Sequence, residues 1–393
     1  MTNVLAEAEA VARRGYARPI VIASIARPTG WTGVHTHFTE FMRVLDSLGQ
    51  RATLVTPYTG QQRLASTLFA PRRVLERVNP SMNVWWYEEG HYRMLKRALT
   101  KVLCSAVEVT VYAQCPLSAE AALQARTGPH QKVKMVVHFN GSQADEWVSQ
   151  VGLSPTSRVY AGIRARERRI LPVLDGIVYV SRYMQGVLEG AIPALRDVES
   201  AVVPNFIPAL TADGVQGRIA DLISIGTLEP RKNQAYLLRV LHEAAQLGHP
   251  YRLTLVGDGP ERASLESLAR ALGIRDQVDF RGFEANARQL LPAHRAYVHA
   301  SRFENMPVVL IEALAAGLPV LAAPVGGVPE IVSDGIEGLY WDLSDPAAGA
   351  RKLVDLIEDG DRLDAMSRSA EAKFSSTFES GAVAGRLFDF LIA

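Results

Sequence analysis

The 393-residue sequence predicts an α/β protein built from two Rossmann-like parallel-sheet domains, and three observations carry that prediction. Short apolar runs of strand length alternate with amphipathic helical stretches, the pattern of βαβ units. The pattern runs twice, on either side of Pro204-Asn205-Phe206-Ile207-Pro208, where the prolines continue neither strand nor helix and mark a linker. Charge divides there too: residues 1–205 carry 24 Lys and Arg against 16 Asp and Glu, and the remainder carries 18 against 25. Domains over 1–204 and 205–375 follow, with helical sequence over 376–393 closing the chain.

In the first domain, strands are expected over Pro19–Ala26, Arg51–Thr56, Val107–Ala113, Val133–His138, Gly176–Val180 and Ala201–Val203, with a helix from Val34 to Leu48 after the first. In the second they are expected over Asp221–Ile225, Tyr251–Val256, Val278–Arg281, Ala296–Ala300, Pro319–Ala322 and Gly338–Trp341. Helices fall over Asn233–Leu247, Glu261–Leu272, Val308–Ala316, Pro346–Ile357 and Gly381–Ile392. Right-handed crossovers put the loops after the strands on one edge, where ligands of such sheets bind.

Composition excludes more than it selects. Hydrophobic residues make up 48%, charged residues 21%, and the net charge is +1, so nothing global points to nucleic acid. Cys104 and Cys115 have neither the density of a disulfide scaffold nor the spacing of a zinc site. The opening MTNVLAEAEAVARRGYARP has no apolar signal core and reads as a short polar helix. No window reaches the roughly 18–20 apolar residues of a membrane span. The expected location is cytoplasmic, with peripheral contact on the inner face of a membrane as an option.

Several loops at strand ends carry chemistry. Ser301-Arg302-Phe303-Glu304-Asn305-Met306-Pro307 leads into a helix that holds Glu312. At a rise of about 1.5 Å per residue the two carboxylates stand roughly 12 Å apart, near the span from a hexose to a ribose across a diphosphate. Free N–H groups at the intervening helix start suit a phosphate. The loop Gly226-Thr227-Leu228-Glu229-Pro230-Arg231-Lys232-Asn233 brings two cations to a helix start, where they oppose the helix dipole unless an anion joins them. Arg27-Pro28-Thr29-Gly30-Trp31-Thr32-Gly33-Val34 lets backbone approach a ligand at Gly33, but it is not a dinucleotide fingerprint. His138 ends a strand and points to the ligand edge. Asp359-Gly360-Asp361 matches a metal-holding Asp-x-Asp but lies away from any strand end and reads as a turn and helix cap.

Together with Pro204-Asn205, Gly257-Asp258-Gly259-Pro260, Ala316-Gly317-Leu318-Pro319-Val320 and Gly326-Gly327-Val328-Pro329-Glu330, these segments resemble glycosyltransferase family 4, retaining enzymes of the GT-B fold. The resemblance covers nearly the whole chain and is dense from Asp221 to Glu330. It implies a retaining transferase that moves a sugar from a nucleotide-sugar, UDP- or GDP-linked, to a hydroxyl of a glycan or lipid-linked glycan in surface polysaccharide or glycolipid synthesis. It implies no cofactor and no metal.

The resemblance also implies residue roles. Arg231 and Lys232, with Gly226 near them, bind the donor diphosphate, and Glu312 holds the ribose. Glu304 contacts the donor sugar with the backbone of Asn305, Met306, Pro307 and Val308. Gly33 approaches from the first domain, His138 sits beside the transferring sugar, and the base lies near Gly282 and Phe283. The first domain binds the acceptor, and the last helix crosses back to it. Two departures stand out: Thr32-Gly33 replaces a Gly-Gly, and Glu304-Asn305-Met306-Pro307 replaces Glu-Gly-Phe-Gly, so the donor sugar does not carry over. A sugar-nucleotide epimerase, a phosphorylase and a nucleotide-sugar-binding protein without catalysis are the competing readings; a nicotinamide oxidoreductase lacks its fingerprint. Arg158, Arg164, Arg166, Arg168 and Arg169 on one helix, and Arg93, Lys96, Arg97 and Lys101 on another, offer either a solvated face or attraction to an anionic membrane or acceptor.

Overall fold

The computed structural model describes residues 18–28, 30, 33–70, 75, 78–210 and 217–393. The expected N-terminal polar helix, and Thr29, Trp31 and Thr32 of the first glycine loop, lie outside the described residues. The chain divides into two compact units, 1–204 with 383–393, and 205–382.

The first unit runs β1 (Ile20–Ala23), α1 (Gly33–Ser47), β2 (Ala52–Val55), α2 (Gln62–Phe69), α3 (Pro80–Leu103), β3 (Val109–Ala113), α4 (Pro116–Ala125), β4 (Gln131–Val137), α5 (Gln143–Val151), α6 (Arg158–Ile170), β5 (Gly176–Tyr179), α7 (Arg182–Ala191) and β6 (Ser200–Val202). Its six strands are all parallel in the order β2-β1-β3-β4-β5-β6. Every residue of β1, β3 and β5 is buried, which is why these strands read as unbroken apolar runs. Helix starts are set locally. Ser142, Ser157 and Ser181 accept backbone N–H bonds at the starts of α5, α6 and α7, and Pro80 takes the first turn of α3 after the Asn79 cap.

The second unit runs β7 (Leu222–Ile225), α8 (Gln234–Gln246), β8 (Leu253–Val256), α9 (Arg262–Ala271), β9 (Val278–Gly282), β10 (Ala296–His299), α10 (Val308–Ala315), β11 (Val320–Ala322), α11 (Val328–Ile331), β12 (Gly338–Tyr340), α12 (Pro346–Glu358) and α13 (Gly360–Thr377). Its parallel sheet has the order β12-β11-β10-β7-β8-β9. All twelve expected strands are present, most of them trimmed by a residue or two at one end. Asp359 accepts the Arg362 N–H at the start of α13, so the Asp-Gly-Asp string is a helix cap.

The expected linker is less free than its prolines suggested. Phe206 and Ile207 are buried, and Ile207 exchanges backbone hydrogen bonds of 3.1 and 3.0 Å with Phe378 and Ser380. The final helix α14 (Ser380–Ile392) starts there, and its residues from Val383 onward belong to the first unit. Lys134 of β4 and Thr110 of β3 bond the carbonyls of Phe390 and Leu391.

Strand order fixes where ligands can lie. In the first sheet the order reverses direction between β1 and β3, and in the second between β7 and β10. The crevice outside the carboxyl ends of such strands is the standard ligand position in open parallel sheets.

Candidate functional site

The loops after β7 and β10 meet at the switch point of the second unit. Asn233 takes a left-handed backbone conformation, φ 53°, that turns the Arg231-Lys232 loop into α8. Arg302 ties the loops together: its backbone N donates to the Arg231 carbonyl at 2.9 Å, and its guanidinium reaches Asn233 Oδ1 at 3.3 Å. Lys232 Nζ then donates to Glu304 Oε1 at 2.6 Å, and Arg231 reaches Glu304 Oε2 at 3.3 Å and the Phe303 carbonyl at 3.2 Å. Glu229 holds the other side of the Arg231 guanidinium at 2.8 Å.

Glu304 is only 5% exposed. Burial opposes its ionisation, but Lys232, then His299 and Arg231, outweigh that and hold the carboxyl well below the usual carboxylate range. His299, at the end of β10, places Nε2 3.3 Å from Glu304 Oε1, within charge contact but off a good hydrogen-bond line. Its own pKa is lowered, by burial against the pull of Glu304. Gly326 backs the loop with φ 58°, and any Cβ there would collide with the Glu304 carbonyl oxygen. Asn205 Nδ2 donates to the Met306 carbonyl at 2.9 Å, pinning the far end.

Pro307 precedes α10, and no side chain caps that helix; Leu310 N donates to the Pro307 carbonyl at 3.1 Å, which leaves the first N–H groups, at Val308 and Val309, uncapped by a side chain. Glu312 lies one turn further and makes no side-chain hydrogen bond or ion pair within the described residues; burial, only partly opposed by Arg288, pushes its carboxyl up to about 7. Both glutamates stand near Tyr297, whose hydroxyl donates to the Ile225 carbonyl at 3.0 Å. Gly226 follows β7 directly. Gly282 ends β9 at φ 76° and its carbonyl accepts from Gly257 N at 2.8 Å, while Phe283 beyond it is 63% exposed.

The first unit has a cavity of about 500 Å³ at its own switch point. Residues after β1 (Ser24 to Arg27), after β3 (Gln114, Cys115) and after β4 (His138, Phe139) line it, with Trp147 and Gln143 of α5. His138 packs edge-on against His37 with ring centroids 4.5 Å apart; burial, then the His37 charge, holds its pKa well below the ordinary value, so its imidazole is neutral. Gly33 opens α1, whose next residue, Val34, reaches the cavity.

The basic helices look different in the fold than in the sequence. Arg166 pairs with Glu88 at 2.6 Å and Glu120 at 2.8 Å, and Arg169 also holds Glu120. Arg164 pairs with Glu167 at 2.9 Å, and Arg93 with Glu89. These four cations are engaged within the unit, and two of them build the cavity wall. Glu88, fixed by Arg166, accepts from Trp147 Nε1 at 3.0 Å; Glu167, fixed by Arg164, accepts from Gln143 N at 2.7 Å. Among the described residues no helix is long and apolar enough to cross a membrane.

Arg231, Lys232 and Glu304, singled out in the sequence, thus come together in space; His299, which also reaches Glu304, was not singled out. His299 is hidden inside the apolar run AYVHA.

Residues 215–373 match the family model described as glycosyl transferases group 1. The N-acetyl-alpha-D-glucosaminyl L-malate synthase of Bacillus anthracis is 33% identical over 129 residues, 33% of this chain and 34% of that protein. The GDP-mannose-dependent alpha-(1-6)-phosphatidylinositol monomannoside mannosyltransferase of Mycolicibacterium smegmatis is 30% identical over 230 residues, 52% of this chain and 58% of that protein. The chain thus spans between about a third and three fifths of these two relatives. Among solved structures, sucrose-phosphate synthase from Thermosynechococcus elongatus has a TM-score of 0.69 at 18% identity, covering 95% of this chain and 99% of that one. HepE of Anabaena in complex with UDP and glucose has a TM-score of 0.64 at 18% identity, covering 96% and 99%. At these identities the structural likeness speaks to the fold, two Rossmann-like domains.

Proposed function

We propose that this chain, which has the GT-B fold and resembles glycosyltransferase family 4, transfers a sugar from a nucleotide-sugar to a hydroxyl acceptor with retention of configuration. The observation that carries the reading is the convergence of Arg231, Lys232 and Glu304 beside an uncapped helix start at the switch point of the second unit. Two cations and oriented N–H groups suit a diphosphate. In this reading Arg231 and Lys232 supply the counter-charge that a metal supplies elsewhere. Glu312 takes the ribose hydroxyls, and the exposed Phe283 with the Gly282 backbone takes the base. The loop Glu304 to Val308 holds the donor sugar.

No pair of carboxylates is needed as acid and base, because the departing phosphate accepts the proton of the attacking hydroxyl. The protein positions the reactants and stabilises charge as it develops on the diphosphate. A UDP- or GDP-sugar is the expected donor, and a glycan or lipid-linked glycan the acceptor. Peripheral contact with an anionic membrane, tested by vesicle flotation, rests on the exposed Arg97, Lys101, Arg158 and Arg168.

A panel of nucleotide-sugars tests the reading. At least one UDP- or GDP-sugar should raise the melting temperature and be hydrolysed slowly, with no loss of rate in a chelator. A chain that binds none of the panel is not a transferase of this kind.

Glu312 makes the donor site pH-dependent. With its carboxyl near 7, the folded protein holds a proton there that the unfolded chain releases near 4.5, so this group's contribution to stability fades as pH rises through about 7. The ionised form is the one that accepts ribose hydroxyls. Affinity for UDP or GDP should therefore rise between pH 6 and 8, and Glu312→Gln should bind more weakly with that dependence flattened. Calorimetric titration across this range would show it.

A further inference from the structure

Glu304 has three basic partners among the described residues, and donor binding needs two of them elsewhere. Lys232 Nζ donates to Oε1 at 2.6 Å, Arg231 reaches Oε2 at 3.3 Å, and His299 Nε2 stands 3.3 Å from Oε1. The two cations are already engaged. Arg231 gives its Nε and one terminal nitrogen to Glu229 Oε1 at 3.1 and 2.8 Å, and its other terminal nitrogen to Glu304 and the Phe303 carbonyl. Two positive and two negative side chains thus balance each other. A diphosphate adds at least two negative charges. It is gripped only if the ammonium and the guanidinium turn part of their donors away from Glu304.

Glu304 has no easy way to follow them. Its residue is 5% exposed, and its carbonyl accepts from Gly327 N at 3.1 Å, which fixes the backbone. A buried carboxylate that loses its counter-charge is strongly destabilised unless another donor replaces it. His299 is that donor. It is 3% exposed, and its buried Nε2 makes no hydrogen bond although it stands beside the carboxylate. Such atoms are almost always bonded. The histidine is held from outside the cluster: its carbonyl accepts from Trp341 Nε1 at 3.0 Å, and its ring stacks on Tyr297 with centroids 6.2 Å apart. Glu304 pulls a proton toward the imidazole, while Lys232 and Arg231 oppose it, so drawing those cations off strengthens the pull. A small turn of the carboxylate toward Nε2 then makes the bond.

We propose that His299 is a positioning residue of the donor loop: when an anion draws Lys232 and Arg231 from Glu304, the Nε2–H of His299 donates to the Glu304 carboxylate and holds it in place. That the anion is the diphosphate of a nucleotide rests on the transferase reading.

The test uses the full chain, isotopically labelled at the histidine ring nitrogens and titrated with UDP, GDP and pyrophosphate in turn. The His299 signals are those lost from the spectrum of His299→Gln. At saturation with a ligand that binds, the His299 ring N–H should move downfield, the mark of a new hydrogen bond to a carboxylate. His299→Leu should weaken that ligand by about tenfold or more, the worth of one hydrogen bond to a charged group. Its melting temperature without ligand should hold or rise, because leucine removes an unmet buried nitrogen. His299→Gln, whose amide can donate to the same oxygen, should recover most of the affinity. In transfer assays the loss in His299→Leu should fall on the donor KM and leave the acceptor KM unchanged. A ligand that binds while the His299 signals stay still would overturn the proposal, as would a His299→Leu protein that binds like the native chain. So would a His299→Gln protein no better than His299→Leu, which would reduce the residue to packing. If none of the three ligands binds, the donor reading fails and takes the proposal with it, whereas binding with a silent His299 leaves the donor reading standing.

Discussion

Replacing Lys232 by Ala should slow sugar transfer by about 10²–10³-fold, with the loss in kcat and not in acceptor KM. The ammonium lies 2.6 Å from Glu304 at the loop that would receive the diphosphate, and its charge matters most as negative charge grows on the leaving group. Lys232→Arg should recover part of the rate, since charge is restored but geometry is not. The same substitution changes acid behaviour. Glu304 is held ionised below the ordinary range, so it contributes stability above the unfolded value near 4.5 that is lost as pH falls through the folded one. Removing Lys232 lets the Glu304 carboxyl rise, and the stability deficit of the variant should be largest near neutrality and shrink below about pH 4. Steady-state kinetics with the donor found in the panel, set beside urea titrations at both pH values, separates the two effects. Native turnover in Lys232→Ala would sink the assignment.

The largest effect on stability is expected at Lys134, in the first unit. This lysine is on β4 with 2% side-chain exposure, donates to the Phe390 carbonyl at 2.6 Å and lies 4.3 Å from the Phe390 ring centre. Gly176 of β5 leaves the space: a Cβ there would come within 2.9 Å of the Phe390 ring and 3.1 Å of the Lys134 stem. Glu199 pairs at 3.2 Å but is largely exposed and adds little. Lys134→Ala removes a charge-assisted bond to a helix C-terminus and a cation–ring contact, and should cost about 2–4 kcal/mol. Hydrogen exchange should show α14 opening well before the rest of the first unit; protection of α14 equal to the native chain's would contradict this.

How much of this was legible in the sequence depends on where each signal resides. The strands were, because parallel strands buried on both faces need uninterrupted apolar runs such as IVIA and LTLV. Arg231, Lys232 and Glu304 were, because loops at strand ends with free helix starts are local features. The fate of the arginines on α6 was not. Arg164 and Arg166 face partners on their own helix and on α3, and only packing shows that Glu167 and Glu88 neutralise them. A helix with five arginines reads as a charged surface until its neighbours are known. Gln114 posed the opposite problem, since a glutamine after a strand carries no charge pattern, and only the fold shows it to be 4% exposed with both amide atoms unmet.

The attachment of α14 also constrains the order of events during synthesis. Thr110 meets Leu391 across 281 residues of chain, and Lys134 meets Phe390 across 256. Contacts this distant in sequence close late and slow folding. All six strands of the first sheet leave the ribosome early, but the surface that α14 covers stays bare until residues 383–393 have been made. A chain whose synthesis stops within the second unit would thus leave the surface around Gly176 and Lys134 uncovered, an address for chaperones or proteases.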